Sequence, residues 1–333
     1  MSVPVSIIVP AYNCSKTIKE TLRALVEQPD HPLEIIVVDD GSTDTTSEII
    51  KAFPQVKYIY QNNAGPASAR NRGAKESKGE FLFFTDSDCI PEENWVSKAL
   101  ENFKTPDIAV VAGSYSIANE SELLANCIHQ EIRYRHQKLM PKFPKSFGSY
   151  NFCVRRKVFE KVGGFDQNYR FASGEDNDLS YKITKAGYRI FFDPSLIVKH
   201  FHTSVLEKYL REQYRHGFWR MKMYLDHPSM MGGDDYTFWK DSAEVLLCYA
   251  LAGFLVVLPF RIVLFEKLSI LALILLILIN AYFAFLMMPT LTQKLYFAFV
   301  MFLRTFVRSA GFIHGLSLIL KGRTNTSTLH PEE

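Results

Sequence analysis

The sequence has few cysteines, little net charge and no segment typical of a signal peptide. Its five cysteines are scattered and include no Cys-x-x-Cys pair, which argues against a disulfide framework or a zinc ribbon and indicates reduced thiols. The formal net charge is only +3, so composition gives no argument for nucleic-acid binding. The first strand-like stretch, SIIVP, is not preceded by a basic segment, so we expect no signal peptide.

Long apolar runs are missing from the first two thirds of the chain and are concentrated after residue 244. Val245–Phe265 and Leu268–Met288 are each long enough to cross a bilayer, and the link Glu266-Lys267 predicts a tight hairpin between them. We therefore predict a linker over 227–244 and a transmembrane hairpin over 245–289. About two crossings leave no room for an enclosed path, which disfavours a transporter.

A third apolar segment, 294–322, carries Arg304 and Arg308 one helical turn apart. Arginines are costly at mid-membrane. The segment is thus either an amphipathic helix at the membrane surface, with its arginines on lipid phosphates, or a third crossing. Residues 323–333 form a tail. Upstream, 206–226 is rich in basic and aromatic residues and predicts an amphipathic helix at the membrane surface.

Short apolar runs that alternate with helical patterns occupy the rest of the chain and predict an α/β fold with a doubly wound, mostly parallel sheet. The helices are predicted near 17–26, 44–53 and 64–78. The strands are predicted at Ser6–Pro10, Leu33–Asp40, Val56–Tyr60 and Glu80–Asp86.

Each of these four strands ends in a polar stretch: PAYN, DDGSTD, QNNAGP and TDSD. Because ligands bind beyond the carboxyl ends of parallel strands, these stretches should gather at one edge of the sheet. Carboxylates brought together repel and need a counter-charge. Hard oxygen ligands suit a divalent Mg or Mn ion, which can bridge to a phosphate-bearing substrate.

The stretches SIIVPAYN, IIVVDDGSTD, NNAGPASARNRG and GEFLFFTDSD, followed by GGFDQNYRFASGEDNDLSYKITKAGYRI, resemble the inverting family 2 glycosyltransferases. The resemblance covers roughly the first two thirds of the chain and keeps the order of the motifs. It implies a GT-A catalytic domain, predicted over 1–226, that uses a nucleotide-sugar donor, a UDP- or GDP-sugar, and a divalent metal.

The resemblance also implies roles for residues on the donor side. Asp86 and Asp88 would hold the metal on the sugar diphosphate, and Arg70 would lie near the donor. The remaining residues implied in donor binding are Pro10, Ala11, Tyr12, Asn13, Asp39, Asp40 and Ser87.

The motif GEDNDL supplies the implied base on the acceptor side. Asp176 would deprotonate the acceptor hydroxyl, with Glu175 and Asp178 beside it, although acids in the first turn also suit the helix dipole. In LIVKHFH, read as one strand, His200 and His202 share a face and could complete the metal shell; we favour His200.

Departures from the family pattern narrow the activity. No Trp directly follows a Gln-x-x-Arg in QYRHGFW, which argues against a processive polymerase. We therefore expect transfer of one sugar to a glycan or lipid-linked acceptor by a multi-pass protein of the cell membrane, with a cytoplasmic catalytic domain. A bare polyprenyl phosphate is an alternative acceptor. Two other classes remain: a sugar-phosphate nucleotidyltransferase, disfavoured because PAYNCSKT is not a Gly-rich basic loop, and a non-catalytic membrane adaptor.

Overall fold

The computed structural model describes residues 5–29, 33–169, 173–230, 235, 237, 239–257 and 263–320. By contacts between residues, the chain divides into two units. Met1–Asn119 and His136–His202 form the first, which we call the sheet unit. Residues 120–135 and 203–333 form the second, which we call the helical unit.

The sheet unit is built on one sheet of eight strands in the order β3-β2-β1-β4-β7-β6-β8-β5. The strands are β1 (Val5–Ala11), β2 (Leu33–Asp39), β3 (Val56–Tyr60), β4 (Phe81–Thr85), β5 (Cys89–Pro91), β6 (Ile108–Ile117), β7 (Asn151–Arg155) and β8 (Arg189–His200). Strands β1 to β4 are mutually parallel, whereas β7 runs antiparallel to β4 and β6, and β5 runs antiparallel to β8.

Helices alternate with the first strands and make up the helical unit. They are α1 (Ile18–Val26), α2 (Thr46–Lys51), α3 (Pro66–Glu76), α4 (Trp95–Glu101), α5 (Leu123–Lys138), α6 (Arg156–Lys161), α7 (Glu175–Lys185), α8 (Leu206–Asp226), α9 (Trp239–Val257), α10 (Val263–Met287) and α11 (Leu291–Leu320). A short 3₁₀ helix spans Pro228–Met230.

The core of the sheet unit explains the apolar run in β4. The side chains of the whole strand are buried, as expected for a strand covered on both faces. Phe83 meets Trp95 edge to face at 5.2 Å, and Phe84 meets Phe165 in the same way at 5.2 Å. Each buried phenylalanine contributes roughly 1.5–3 kcal/mol, so β4 is held firmly and its end is placed accurately.

The predicted α/β class and the four parallel strands are confirmed, with strand bounds within a residue or two. The second half of the sheet is mixed, because β7 returns antiparallel between β4 and β6. Strand β8 ends at His200, so His202 lies just beyond the strand that was predicted to contain both histidines.

The apolar helices of the helical unit differ from the predicted hairpin. Glu266 and Lys267 lie in α10 and do not form a link, so that prediction is wrong; an acid in the first turn is favourable for the helix. The predicted span 245–265 includes residues 258–262, which lie outside the described residues. By length and composition, Val263–Met287 and Leu291–Leu318 are each apolar enough to cross a membrane.

A buried charge network holds the helical unit together. Arg304 of α11 binds Glu131 of α5 through two hydrogen bonds of 2.6 and 3.1 Å and donates to Tyr209 of α8 at 2.9 Å. Arg135 binds Glu131 and, through two bonds, Asp241 of α9. Burial by itself would raise the pKa of Glu131, but Arg304 and Arg135 hold it far below its usual value. The predicted contact of Arg304 with lipid phosphates is therefore wrong.

Glycines allow α8 and α11 to touch backbone to backbone. A methyl group on Gly311 would overlap the carbonyl oxygen of Tyr214, and one on Gly217 would overlap that of Arg308. The ring of His314 lies beside this contact, with Nδ1 2.6 Å from the Tyr214 hydroxyl. Small residues that permit such close approach are typical of packed apolar helices.

Gly311→Ala is expected to destabilise the helical unit by about 1–3 kcal/mol, because the added methyl has backbone as its neighbour and cannot be accommodated by a rotamer change. Thermal unfolding in detergent should show a lower Tm. Gly253→Ala in α9 is the matched control, since nothing lies within 4 Å of its added methyl. Equal Tm values for the two variants would contradict the close packing.

Candidate active site

The carboxyl ends of β1, β2 and β3 lie side by side. In the parallel register Ala11 is opposite Asp39, and Asp39 is opposite Tyr60. Strand β4 runs parallel to β1 on its other side. The polar stretches that follow these strands therefore share one edge of the sheet, as predicted.

The two carboxylates at the end of β2 organise the neighbouring loops. Asp39 accepts hydrogen bonds from the Ser42 amide (2.9 Å) and the Tyr58 hydroxyl (2.8 Å). Asp40 accepts from the amides of Ala64 and Gly65, at the start of α3. Both side chains are buried. They hold the loops at the edge of the sheet where the nucleotide base is expected to bind. Their contact with the nucleotide base stays a prediction.

The PAYN stretch, residues 10–13, lies at the end of β1 and is hydrogen-bonded to the loop after β2. Pro10 and Ala11 end β1, and the ring of Tyr12 is half exposed beyond them. Asn13 adopts a positive φ of 46°, which asparagine tolerates, and its side-chain oxygen accepts a hydrogen bond from the Thr43 amide at 2.8 Å. The exposed Tyr12 ring is thus presented at the strand edge by a fixed turn.

The DSD motif, which consists of Asp86, Ser87 and Asp88, is the tight turn between β4 and β5. The Cys89 amide donates to the Asp86 carbonyl at 3.1 Å, and aspartate is a favoured first residue of such a turn. The Ser87 carbonyl accepts from the Thr21 hydroxyl of α1 at 3.1 Å. The rigid β4 core therefore ends in a turn that presents Asp86 and Asp88.

His200 reaches this turn through strand pairing. β5 pairs antiparallel with β8 so that Cys89 is directly opposite His200. The Nε2 atom of His200 lies 3.4 Å from Asp88 Oδ1. His202 lies behind it, with the two Nδ1 atoms 2.8 Å apart. Of the two predicted histidines, the structure brings His200 to the aspartate.

Arg70 joins the two acidic motifs. This buried guanidinium, 3% exposed, binds Asp86 at 2.8 Å and Glu175, the first residue of α7, at 2.9 Å. Burial would lower its pKa, but Asp86 and Glu175 raise it well above the usual value, so the charge is permanent. The arginine predicted to lie near the donor thus links the DSD turn to the acidic start of α7.

Glu175 and Asp176 sit together at that helix start. Burial raises the pKa of each above its ordinary value, the neighbouring Asp176 adds to the effect on Glu175, and Arg70 opposes it for both. Glu175 also accepts from the Ser173 amide at 2.8 Å. With its oxygens on Arg70 and Ser173, Glu175 anchors the helix, and Asp176 is the acid next to the Arg70 charge.

Asp178, predicted on the acceptor side, is buried and pairs with Lys182 at 2.8 Å one turn further along α7.

Two residues near the site belong to no motif by which the sequence could have identified them. A methyl on Gly148 would overlap the Tyr150 ring at 2.7 Å and would lie 3.5 Å from Asp176 Oδ2, so this glycine is needed for packing beside the carboxylate. Tyr115 packs its ring 5.0 Å from that of His200.

The residues present fit a divalent cation. Ligating atoms of Asp88, Cys89 and His200 all lie within 4.8 Å of one another, and Asp86 lies across the turn. Carboxylate oxygen with one imidazole nitrogen suits Mn, and oxygen ligands suit Mg. Asp88 and His200 are thus the best-placed ligands among the residues that the structure describes.

Comparison with known proteins shows which proteins the chain resembles. Residues 6–163 match the family model described as glycosyl transferase family 2, and residues 129–204 match the one described as N-terminal domain of galactosyltransferase. A mannosyltransferase of Pyrobaculum calidifontis, solved in complex with GDP-Man and Mn2+, has a similar fold (TM-score 0.51, 22% identity, covering 67% of this chain and 65% of that one). Residues 6–163 are thus similar to family 2 glycosyltransferases, and the chain has a GT-A-like fold.

The curated relatives that the chain matches are also described as glycosyltransferases. A pre-mycofactocin glycosyltransferase of Mycobacterium tuberculosis is 28% identical over 234 residues, 67% of this chain and 48% of that protein. The glycosyltransferase AglE of Haloferax volcanii is 28% identical over 66% of this chain and 74% of its own length. The probable glycosyltransferase YdaM of Bacillus subtilis is 33% identical over 58% of this chain and 49% of its length. The chain spans about half the length of two of these relatives.

Arg70→Ala is expected to destabilise the sheet unit by roughly 3–5 kcal/mol, because it leaves the buried carboxylates of Asp86 and Glu175 without their counter-ion. Denaturant unfolding measures the change. Arg72→Ala, on the exposed side of the same helix, is the control and should unfold like the wild type. Similar unfolding curves for both variants would mean that the bridge contributes nothing to stability.

Proposed function

We propose that the protein transfers one sugar from a nucleotide-sugar donor to an acceptor hydroxyl, with inversion at the anomeric carbon. The donor diphosphate binds at the DSD turn, and the acceptor binds beside Asp176. The carrying observation is the Arg70 bridge, which brings the DSD turn and the acidic start of α7 into one site. This link supports the proposal that the two motifs act in one reaction centre.

In this reaction the Asp176 carboxylate takes the proton of the acceptor hydroxyl. The acceptor oxygen then attacks the anomeric carbon from the side opposite the diphosphate, and the bond from that carbon to the diphosphate oxygen breaks. A single displacement with one base needs no covalent intermediate. Arg70 lies beside the base and opposes the pKa rise that burial causes, which favours the ionised carboxylate.

A divalent cation held by Asp88, His200 and Asp86 would stabilise the negative charge that develops on the leaving diphosphate. The mannosyltransferase with the similar fold was solved with GDP-Man and Mn2+, which supports a nucleotide sugar and a metal here. In this proposal the exposed Tyr12 ring and the loops held by Asp39 and Asp40 contact the nucleotide.

The acceptor is a glycan or a lipid-linked glycan at the cytoplasmic face of a membrane. The two apolar helices of the helical unit support membrane association. A bare polyprenyl phosphate as acceptor would differ in having a phosphate oxygen as nucleophile. Release of nucleoside diphosphate from a panel of nucleotide sugars, with and without a membrane lipid extract, identifies the donor and shows whether the acceptor is lipid-borne. No turnover and no binding of any donor would favour a non-catalytic adaptor.

Asp176→Asn is expected to reduce transfer by at least about 100-fold, because the amide cannot accept the proton. Donor binding, measured by calorimetry with Mn present, should stay within about threefold, since Asp176 is not among the donor-side residues. Asp178→Asn is the control for loss of a carboxylate in the same helix, since Asp178 points to Lys182. Transfer by Asp176→Asn at the wild-type rate would rule out Asp176 as the base.

Chelation is expected to abolish transfer, and added Mn or Mg should restore it. His200→Ala should raise the Mn concentration for half-maximal activity by about tenfold or more, because one of the placed ligands is lost. His136→Ala, a buried histidine that contacts Ser114, serves as the control for loss of an imidazole. Full activity in excess chelator would contradict the metal requirement.

A further inference from the structure

The path of the chain through α5 restricts how the helical unit can attach to a membrane. The chain leaves the sheet unit after Asn119 and re-enters it at His136. Asn119 donates to the His202 carbonyl at 2.8 Å and accepts from its amide at 3.1 Å, and His136 contacts Ser114 at 2.9 Å. Both ends of α5 are thus tied to residues of the sheet unit, and α5 begins and ends on that side of any membrane.

The turn between α10 and α11 is fixed to the same side. Asn126 follows Asn119 by seven residues, which reach at most about 25 Å when fully extended, less than the roughly 30 Å of a bilayer's hydrocarbon core. Asn126 accepts a hydrogen bond from Gln293 at 3.0 Å, and Gln293 accepts one from the Thr290 hydroxyl at 2.9 Å. The turn at Thr290 therefore cannot lie on the far side.

The middle of α11 is held as well. Glu131, which binds Arg304, precedes His136 by five residues, about 7.5 Å along a helix. α11 therefore stays beside α5 at both Gln293 and Arg304 and cannot descend from the turn into a bilayer. Its second half packs along α8, which carries the exposed ion pair Arg211–Glu207, a pair that is costly to place in hydrocarbon.

α10 must follow α11, because the two helices are joined by a turn of three residues and pack along each other. Ala272 and Leu276 of α10 share an apolar cluster with Phe302 and Phe306 of α11. No charged residue occurs between 268 and 287, and Asn280 is buried. The outward face of α10 exposes large apolar side chains, among them Ile270, Ile274, Ile277, Leu278 and Phe285.

We propose that the helical unit binds one face of the membrane without crossing it, with the outer face of α10 inserted into a single leaflet. An exposed apolar face of this length requires a cover, and a lipid leaflet fits it. Lys267 and Lys294, near the two ends of α10, are placed to meet headgroups. This arrangement replaces the predicted transmembrane hairpin over 245–289 and the multi-pass topology, and it is independent of the proposed chemistry.

Cysteine labelling tests this topology. Glu207→Cys, Lys267→Cys and Thr290→Cys are introduced separately into the full-length protein, and sealed vesicles of each orientation are treated with a membrane-impermeant maleimide. Four native cysteines are buried and Cys14 is partly so, and the wild type supplies the background. We expect all three positions to be labelled only when the face that carries the sheet unit is outside.

Each crossing topology gives a different pattern. Labelling of Lys267→Cys from the opposite face would indicate that α9 and α10 cross, and labelling of Thr290→Cys from that face would indicate that α10 and α11 cross. Either result overturns the proposal. So does labelling of either position only after detergent is added, because the proposal places both at the membrane surface.

A second experiment tests the lipid as occupant. Ile270→Asp/Ile277→Asp adds two charges to the outer face of α10, and Gln55→Asp/Thr105→Asp adds the same charges to exposed sites of the sheet unit. Flotation with phosphatidylcholine vesicles should fall at least tenfold for the first variant and stay unchanged for the second. A first variant that still floats but changes from dimer to monomer would show that a second copy covers this face, which would overturn the proposal.

Discussion

The site depends on one buried positive charge, the guanidinium group of Arg70. Arg70 lies between two carboxylates from distant parts of the sequence, and its charge makes their burial tolerable. A buried ion pair of this kind is weak evidence for added stability, yet removing one partner is costly because the other charge stays buried. A substitution of Arg70 therefore affects both motifs at once, because the same guanidinium binds the DSD turn and the acidic start of α7.

The same physics recurs in the helical unit with the opposite purpose. Glu131 is the shared anion there, and Arg135 and Arg304 surround it. In the sheet unit the buried charges face a place where a substrate can bind. In the helical unit they join four helices. The arginines of the apolar helix α11, Arg304 and Arg308, are therefore paired inside the protein and need no contact with the membrane interior.

Much of the fold was predictable from local patterns. The run FLFF in β4 indicated a strand covered on both faces, and the alternation of strands and helices predicted the parallel half of the sheet. The antiparallel β7 was not predictable, because its position depends on pairing with β4 across about 70 residues of sequence. The hairpin link at Glu266-Lys267 was wrong because two charges in an apolar stretch can begin a helix as well as end one.

The motifs, their order and the chemistry that each can supply follow from the sequence alone: carboxylates at strand ends, a basic residue in α3, acids at the start of α7 and two histidines. Which of these residues lie next to each other depends on the fold. Strand register selected His200 over His202 as the neighbour of Asp88, and packing turned Glu175 towards Arg70 and left Asp176 beside Gly148. A local sequence pattern indicates which chemistry a residue can supply. The residue that it contacts depends on packing between parts of the chain that are far apart in sequence.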